Sequence, residues 1–347
     1  MTIDKTLIFF DPQTASQREF ELYTEFNKHW SQEMFPEDPP KGLEATKKDL
    51  QGEKYFSDEK TERYYIAHNG KMIAKVNTEV AYREDNQHIL GTYIYVIPEY
   101  RRQGLAKQLL SKVLESAKKE KRTLIMSGSS GRCSAGQAFA ERCGAELGSE
   151  NHTNQLVLAE VDKALLQVWQ KQGNSDDFEL GFWTNPLPED EIEAIAELMM
   201  VMNTAPRDDL EIEDWTVKPE DIREWEAYGA DVGDEVWYYY VRHKASRVVA
   251  GYTEIIWTPE NPGLVWQGAT GVVPKYRGNR LGKWMKAVMI EHIFKHRPEA
   301  TVIRTGNADS NAPMLKINHE LGFKPYQAVY DWQLKVDKLE AYLKDAK

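Results

Sequence analysis

Gly271-Val272-Val273-Pro274-Lys275-Tyr276-Arg277-Gly278-Asn279-Arg280-Leu281-Gly282 decides how this chain is read. Val272 and Val273 are β-branched and favour a strand; Pro274 stops it because it has no N–H to donate. A basic turn follows. From Gly282 to about His296 the residues recur at helical spacing, through Leu281, Met285, Val288 or Met289, and His292 or Ile293. Gly278 and Gly282 permit close backbone approach, and a helix N-terminus offers unpaired N–H groups at the positive end of its dipole. Together these features make a seat for a phosphate or pyrophosphate. A basic turn between any strand and helix would read similarly, so repetition has to separate the two readings.

The stretch does occur twice. Arg101 precedes Arg277 by 176 positions, and the same offset pairs Val96 with Val272, Pro98 with Pro274, Tyr100 with Tyr276 and Leu105 with Leu281. Further on, Thr123–Gly128 pairs with Thr301–Gly306 at an offset of 178, as do Gly144 with Gly322 and Gln155-Leu156 with Gln333-Leu334. A period this long is a duplicated domain rather than a solenoid repeat.

Each copy runs in the same order. The first half reads as a helix over 13–30, a strand at 64–67, a hairpin turn at Asn69-Gly70, a return strand at 72–80, and a strand at 92–97 ending in the loop. The loop opens a helix at Leu105; a strand at 124–126, a short helix at 136–143, a last strand at 155–158 and a helix to about 170 follow. The polar link Gln172–Asp177 marks the boundary. The domains are therefore expected at 1–172 and 173–347, with the second half repeating the order from a helix at 189–202 to a strand at 330–336.

The chain has 347 residues, 41% hydrophobic, and a net charge of −11. Two domains with proper cores fit that length. The acidic balance argues against a general nucleic-acid or anionic-membrane partner, which would need a basic face. Two cysteines, Cys133 and Cys143, without metal-ligand spacing, fit a reduced compartment. No run approaches the roughly 18 apolar residues of a membrane helix. A cytoplasmic protein without a metal is expected. Oligomeric state is open, with a monomer plausible.

On these residues each half resembles the GNAT acetyltransferase fold. The family's acyl-CoA loop reads Arg/Gln-x-x-Gly-x-Gly/Ala after a strand; Arg101-Arg102-Gln103-Gly104-Leu105-Ala106 matches it in full. Arg277-Gly278-Asn279-Arg280-Leu281-Gly282 matches except at Arg280, where glycine is usual. Asn311, Asn318 and Leu321-Gly322-Phe323 resemble the second signature, with Asn318 in place of the usual tyrosine. From Thr270 to Phe323 the pattern is similar to tandem GNAT proteins of the mycothiol-synthase type. The resemblance implies an α/β (α+β) fold of two tandem GNAT domains, each a mixed, mainly antiparallel sheet flanked by helices. It also implies acetyl-CoA as acyl donor, held by Val272, Val273, Arg277–Gly282 and Asn311, and by Val96, Ile97 and Arg101–Ala106.

Transfer to an amine needs the pyrophosphate held, the thioester oxyanion met by a backbone N–H near Val272 or Val273, and the amine deprotonated. An amine of pKa about 10.4 lies some 3 units above neutral pH, roughly 4–5 kcal/mol, so a base is worth having. In the tandem proteins a carboxylate in the strand paired with the cofactor strand looks like the base. Here that is Glu254, whose partner at the 176 offset is Thr78. The first half also departs at Cys133, Ala140 and Ala145, which stand where Asn311, Asn318 and Phe323 stand. The expectation is an N-acetyltransferase for a small-molecule amine, active in the second half. The alternative is a non-catalytic acyl-CoA-binding protein; an aminoacyl transferase using charged tRNA fits the acidic charge poorly.

Overall fold

In the computed structural model residues 3–345 are described. In chain order the elements are β1 (Ile8–Phe10), α1 (Gln17–Met34), α2 (Leu43–Gln51), β2 (Glu59–His68), β3 (Lys71–Ala81), β4 (Ile89–Val96), α3 (Leu105–Lys119), β5 (Leu124–Ser130), α4 (Ser134–Arg142), β6 (Glu146–Val157) and α5 (Lys163–Lys171). The second run has β7 (Phe178–Thr184), α6 (Ile192–Met199), α7 (Pro219–Val232), β8 (Glu235–His243), β9 (Val249–Trp257), β10 (Leu264–Val272), α8 (Leu281–His296), β11 (Val302–Ala308), α9 (Ala312–Leu321), β12 (Lys324–Lys335) and α10 (Val336–Asp345). The duplicated strand–loop–helix order is present in both runs. The sequence pattern passed over α2 and α7, and the short edge strands β1 and β7.

The chain folds into two compact units that divide it differently from 1–172 and 173–347. Unit 1 comprises Met1–Glu150, Asp208–Glu213 and Ala328–Lys347; unit 2 comprises Asn151–Arg207 and Asp214–Gln327. Each half thus ends in the other unit. In unit 1 the sheet runs β1-β2-β3-β4-β5-β12, and in unit 2 it runs β6-β11-β10-β9-β8-β7. β12 lies antiparallel to β5, from Val329 opposite Ser130 to Lys335 opposite Leu124. β6 lies antiparallel to β11, from Val302 opposite Val157 to Ala308 opposite Asn151. The helices that follow are exchanged too. Leu339 of α10 is fully buried in the core of unit 1 with Leu109, Val113 and Ile125. Leu166 and Trp169 of α5 are buried in unit 2 with Ala287, Ile290 and Ile293.

Local chemistry sets the elements that matter for the site. α1 starts at Ser16, whose Oγ accepts from the Glu19 N–H while the Glu19 carboxylate accepts from the Ser16 N–H, a capping box. Its apolar face buries Phe20, Tyr23 and Phe26 beside Phe10, Tyr65 and Tyr95. In unit 2 the sheet face on the α6 and α7 side holds Ile195, Leu198, Ile222, Tyr238 and Tyr252. The opposite face packs on α8 and α5 through Trp237, Ile255 and Val265. No helix among the described residues is long and apolar enough to cross a membrane.

The exchange predicts where a core lesion is felt. Leu339→Ala should cost about 2–5 kcal/mol. Hydrogen exchange should then show lost protection in α3, β3 and β4, more than two hundred residues earlier, with residues 214–327 much less affected.

Candidate functional site

Both units contain a parallel strand pair that parts early. β4 and β5 are in register only from Ile89 opposite Leu124 to Thr92 opposite Ser127. β10 and β11 keep register only from Leu264 opposite Val302 to Trp266 opposite Arg304. Beyond these points the inner edges of β4 and β10 face an opening. The Ile97 N–H donates to Ile73 O at 3.0 Å, and the Val273 N–H to Ala250 O at 2.8 Å. Successive N–H groups on a strand point to opposite edges, so those of Val96 and Val272 point into the opening. Of the two oxyanion donors expected, the Val273 N–H is already used by Ala250 O, and the Val272 N–H points into the opening.

In unit 1 the opening widens into a cavity of about 360 Å³. Ile94 and Val96 of β4, Arg101, Arg102, Gly104, Leu105 and Ala106 line one side; Cys133, Ala135, Phe139 and Arg142 line the other, and Tyr342 of α10 contributes from the exchanged arm. α3 has no side-chain cap, and Gln108 N–H donates to Gly104 O, leaving the first-turn N–H groups as an anion seat. Ile97 is buried behind the strand and Gln103 is exposed, so neither is part of the wall. The Arg101 guanidinium is engaged elsewhere. Its Nε donates to Val96 O at 3.0 Å, and its Nη atoms pair with both oxygens of Glu33 at 2.9 and 2.5 Å. Arg277 repeats the first contact, donating from Nε to Val272 O at 3.0 Å, and adds Thr204 Oγ1 at 2.5 Å. Both arginines therefore clasp the loop to its strand, and the backbone offers the seat. Burial alone would raise the Glu33 pKa, but Arg101 and Tyr95 hold it below the usual carboxylate range. The Cys133 thiol is pushed up by burial and lies beside that same carboxylate, which makes it a poor nucleophile.

Each loop carries two residues in the left-handed region, one glycine and one arginine, in exchanged order. Unit 1 has Arg102 at φ 63° and Gly104 at φ 79°; unit 2 has Gly278 at φ 82° and Arg280 at φ 58°. The glycine that Arg280 replaces is thus one that the backbone favours. Arg280 caps α8 with its side chain exposed. The Asn279 amide turns back to Tyr276 O at 3.0 Å, Leu281 is buried in the core, and Gly282 lies beneath Ile317. Asn311 caps α9, its Oδ1 accepting from Met314 N–H at 3.4 Å. Asn318, in the place of the usual tyrosine, is wholly buried and donates to Asn307 Oδ1 at 2.7 Å, so it holds α9 to β11.

Glu254 stands apart from these groups, on the α6 side of the sheet. β10 bulges between Gln267 and Thr270, an irregularity that β4 lacks against β3. The Glu254 carboxylate sits on the bulge, Oε1 accepting from Ala269 N–H at 2.9 Å. A Cβ on Gly268 would lie 2.5 Å from that oxygen, so glycine is required there. Gln267 braces the arrangement, donating to Glu254 O and Thr253 Oγ1. Tyr238 is the cross-strand neighbour and Tyr252 stands two residues away on the same face. Burial raises the Glu254 pKa; the Ala269 N–H offsets part of this.

Register corrects the assignment of its counterpart. Val96 opposes Ala74, whereas Val272 opposes Gly251, so β3 and β9 align at an offset of 177 and Asn77, not Thr78, matches Glu254. Arg63 then stands where Tyr238 stands, and Lys75 where Tyr252 stands. Both cations are buried: Arg63 pairs with Glu53, and Lys75 donates to Tyr23 Oη at 2.7 Å. One unit thus has a carboxylate between two tyrosines, and the other an amide between two cations. Sequence reasoning missed this exchange because the cations carry no motif. It also missed Lys286, buried on α8 where the first half has Leu110, whose pKa burial pushes down to about 7. Among the described residues no group of His, Cys, Asp and Glu could hold a metal.

Residues 21–145 match the model of the acetyltransferase (GNAT) family, and the chain has the fold of a tandem GNAT protein, a fold that supports acyl transfer. The matched stretch is the half with the intact loop. Over the whole length the chain is similar to a tandem GNAT protein from the clavulanic acid biosynthesis pathway, with a TM-score of 0.74 and 20% identity, covering 95% of this chain and 98% of that one. It is also similar to a GCN5-related N-acetyltransferase from Sphaerobacter thermophilus, with a TM-score of 0.63, 12% identity and 97% of each chain covered. A glucosamine N-acetyltransferase region of a fungal multi-domain β-N-acetylglucosaminidase gives a TM-score of 0.65 at 13% identity, over 95% of this chain and 38% of that one. No curated protein sequence gave a significant match.

Two outcomes follow from the geometry. Arg280→Gly should stabilise the fold by about 1 kcal/mol in denaturant titration, because a left-handed residue loses its Cβ clash, while weakening coenzyme A binding through loss of an exposed cation at the seat. Glu254→Gln should raise the melting temperature at pH 7–8 and leave it unchanged at pH 4. The folded-state pKa lies above that of the unfolded chain, so wild-type stability is fully present at low pH and falls as the pH rises through the raised value. Glutamine, which can still accept from Ala269, escapes that loss.

Proposed function

We propose that the protein is an acetyl-CoA-dependent N-acetyltransferase that acts by direct transfer on a small-molecule amine, with unit 2 carrying the chemistry. The observation that carries this reading is Glu254, a largely buried carboxylate of raised pKa, placed on the bulge of β10, the strand that leads into the cofactor loop. In the proposed step the ammonium gives a proton to Glu254. The amine nitrogen attacks the thioester carbon, the C–N bond forms, and the oxyanion meets the Val272 N–H. Collapse breaks the C–S bond, and the nitrogen's remaining excess proton goes to the departing thiolate, giving the amide and coenzyme A. A thiol of pKa about 8.5 needs only about 2 kcal/mol of help at pH 7, so the missing tyrosine is tolerable.

Unit 1 suits a different part. Its cavity and α3 N-terminus favour an acyl-CoA, but the Arg63 and Lys75 pair would repel an ammonium. We assign it a bound acyl-CoA without turnover. The net charge of −11 supports a small molecule rather than nucleic acid as partner, and two free thiols support the cytoplasm.

The test is a pair of measurements. Glu254→Gln should lower kcat by about 100-fold or more while acetyl-CoA affinity stays nearly unchanged. Calorimetry should count two acetyl-CoA sites per chain. Ala106→Glu should remove one site without stopping turnover, and Gly282→Glu should remove the other and stop it. A fully active Glu254→Gln would remove Glu254 as the base.

A further inference from the structure

Unit 2 also restricts what the amine is attached to. The Glu254 carboxylate accepts one backbone N–H, and its pKa is shaped only by burial and that bond, so no side-chain cation offsets it. Tyr238 and Tyr252 flank it, both buried. Partly buried residues packed against the same core cluster include Met200, Met202, Trp215, Trp225 and Tyr240. Val201 packs flush on β10, where Gly271 leaves room for it, and Met202 Sδ comes up to the strand just past the bulge.

The arginines of the covering segments are committed. Arg223 donates to Leu187 O and pairs with Glu226 and Glu189. Arg207 bonds Asn203 and pairs with Asp214. Arg277 holds Val272 O and Thr204. A substrate carboxylate or phosphate close to the amine would therefore be buried against Glu254 with no cation to meet it, which is costly. A second ammonium would find Glu226 already paired with Arg223 and Asp221 already accepting from the Lys218 N–H, and a ring of hydroxyls would be buried against tyrosine, tryptophan and methionine. One positive charge on an apolar body fits best: the ammonium pairs with Glu254 and lies against the tyrosine rings, and the body packs on the methionine and tryptophan surface.

We propose that the acceptor is a monocationic primary amine on an apolar or aromatic body, without an acid group near the nitrogen. Unit 1 argues for the same rule by contrast, since Arg63, Lys75 and Asn77 give the equivalent face the opposite charge.

The inference rests on Glu254 being the base, so binding and turnover are measured separately. Binding of 2-phenylethylamine, phenylalanine, spermidine and kanamycin to the wild-type full chain is followed by calorimetry and tryptophan fluorescence. CoA release from acetyl-CoA is followed for the same four. The expected result is that 2-phenylethylamine binds at least 100-fold more tightly than phenylalanine, and that Tyr252→Lys, which imposes the unit 1 charge, abolishes its binding without changing acetyl-CoA binding. Tighter binding of phenylalanine, spermidine or kanamycin than of 2-phenylethylamine overturns the inference, as does unchanged binding in Tyr252→Lys. Tight 2-phenylethylamine binding with no CoA release supports the pocket and overturns the acyl-transfer reading instead.

Discussion

A parallel strand pair that cannot stay paired governs the rest of this structure. β5 is bonded to β12 along Leu124–Ser130 but to β4 only as far as Ser127, and β11 is bonded to β6 along Val302–Ala308 but to β10 only as far as Arg304. In each unit the second parallel strand follows its antiparallel neighbour and leaves the first. The backbone groups exposed along β4 and β10 need partners. The exchanged strands are thus what hold the openings apart.

Given the same scaffold twice, three aligned positions carry opposite charge patterns in the two units. Tyr238, Tyr252 and Glu254 put a carboxylate between two buried tyrosines on one face. Arg63, Lys75 and Asn77 make the equivalent face a filled, positively charged interior, with Trp30 Nε1 donating to Tyr93 Oη at 2.6 Å across it. The β10 bulge belongs with the first set, because it gives the Glu254 carboxylate a backbone N–H and a glycine to rest on. Electrostatics, rather than the state of the cofactor loop, distinguishes the halves. The loop with the better motif lies in the unit with the less suitable acceptor face.

Much of this was legible in the sequence for physical reasons. Glycine, proline and the strand-to-helix change in period mark the cofactor loop, and two copies in near-constant register mark the duplication. The exchange was not legible. Gln155-Leu156 and Gln333-Leu334 read as equivalent last strands, but a strand's pattern reports which face is buried and says nothing about which chain supplies the neighbouring edge. β7 and α7 escaped for a related reason: a seven-residue edge strand containing Gly181, and a helix whose buried residues are few, have weak periodic signals. Glu254 was singled out through resemblance, and its counterpart was misplaced by one residue because a constant offset does not survive a bulge. On a strand one residue is the difference between two faces.

The reciprocal arms also set an order of events during synthesis. β5 leaves the ribosome early, yet the strand that covers its free edge lies roughly two hundred residues downstream. Until then the nascent N-terminal unit has an unpaired strand edge, and α3 lacks the cover of Leu339. Long-range strand pairing is slow because the intervening chain must first be closed into a loop. Until β12 is made, therefore, the cell holds a six-stranded sheet with only five strands, and a strand from the second half completes the unit built from the first.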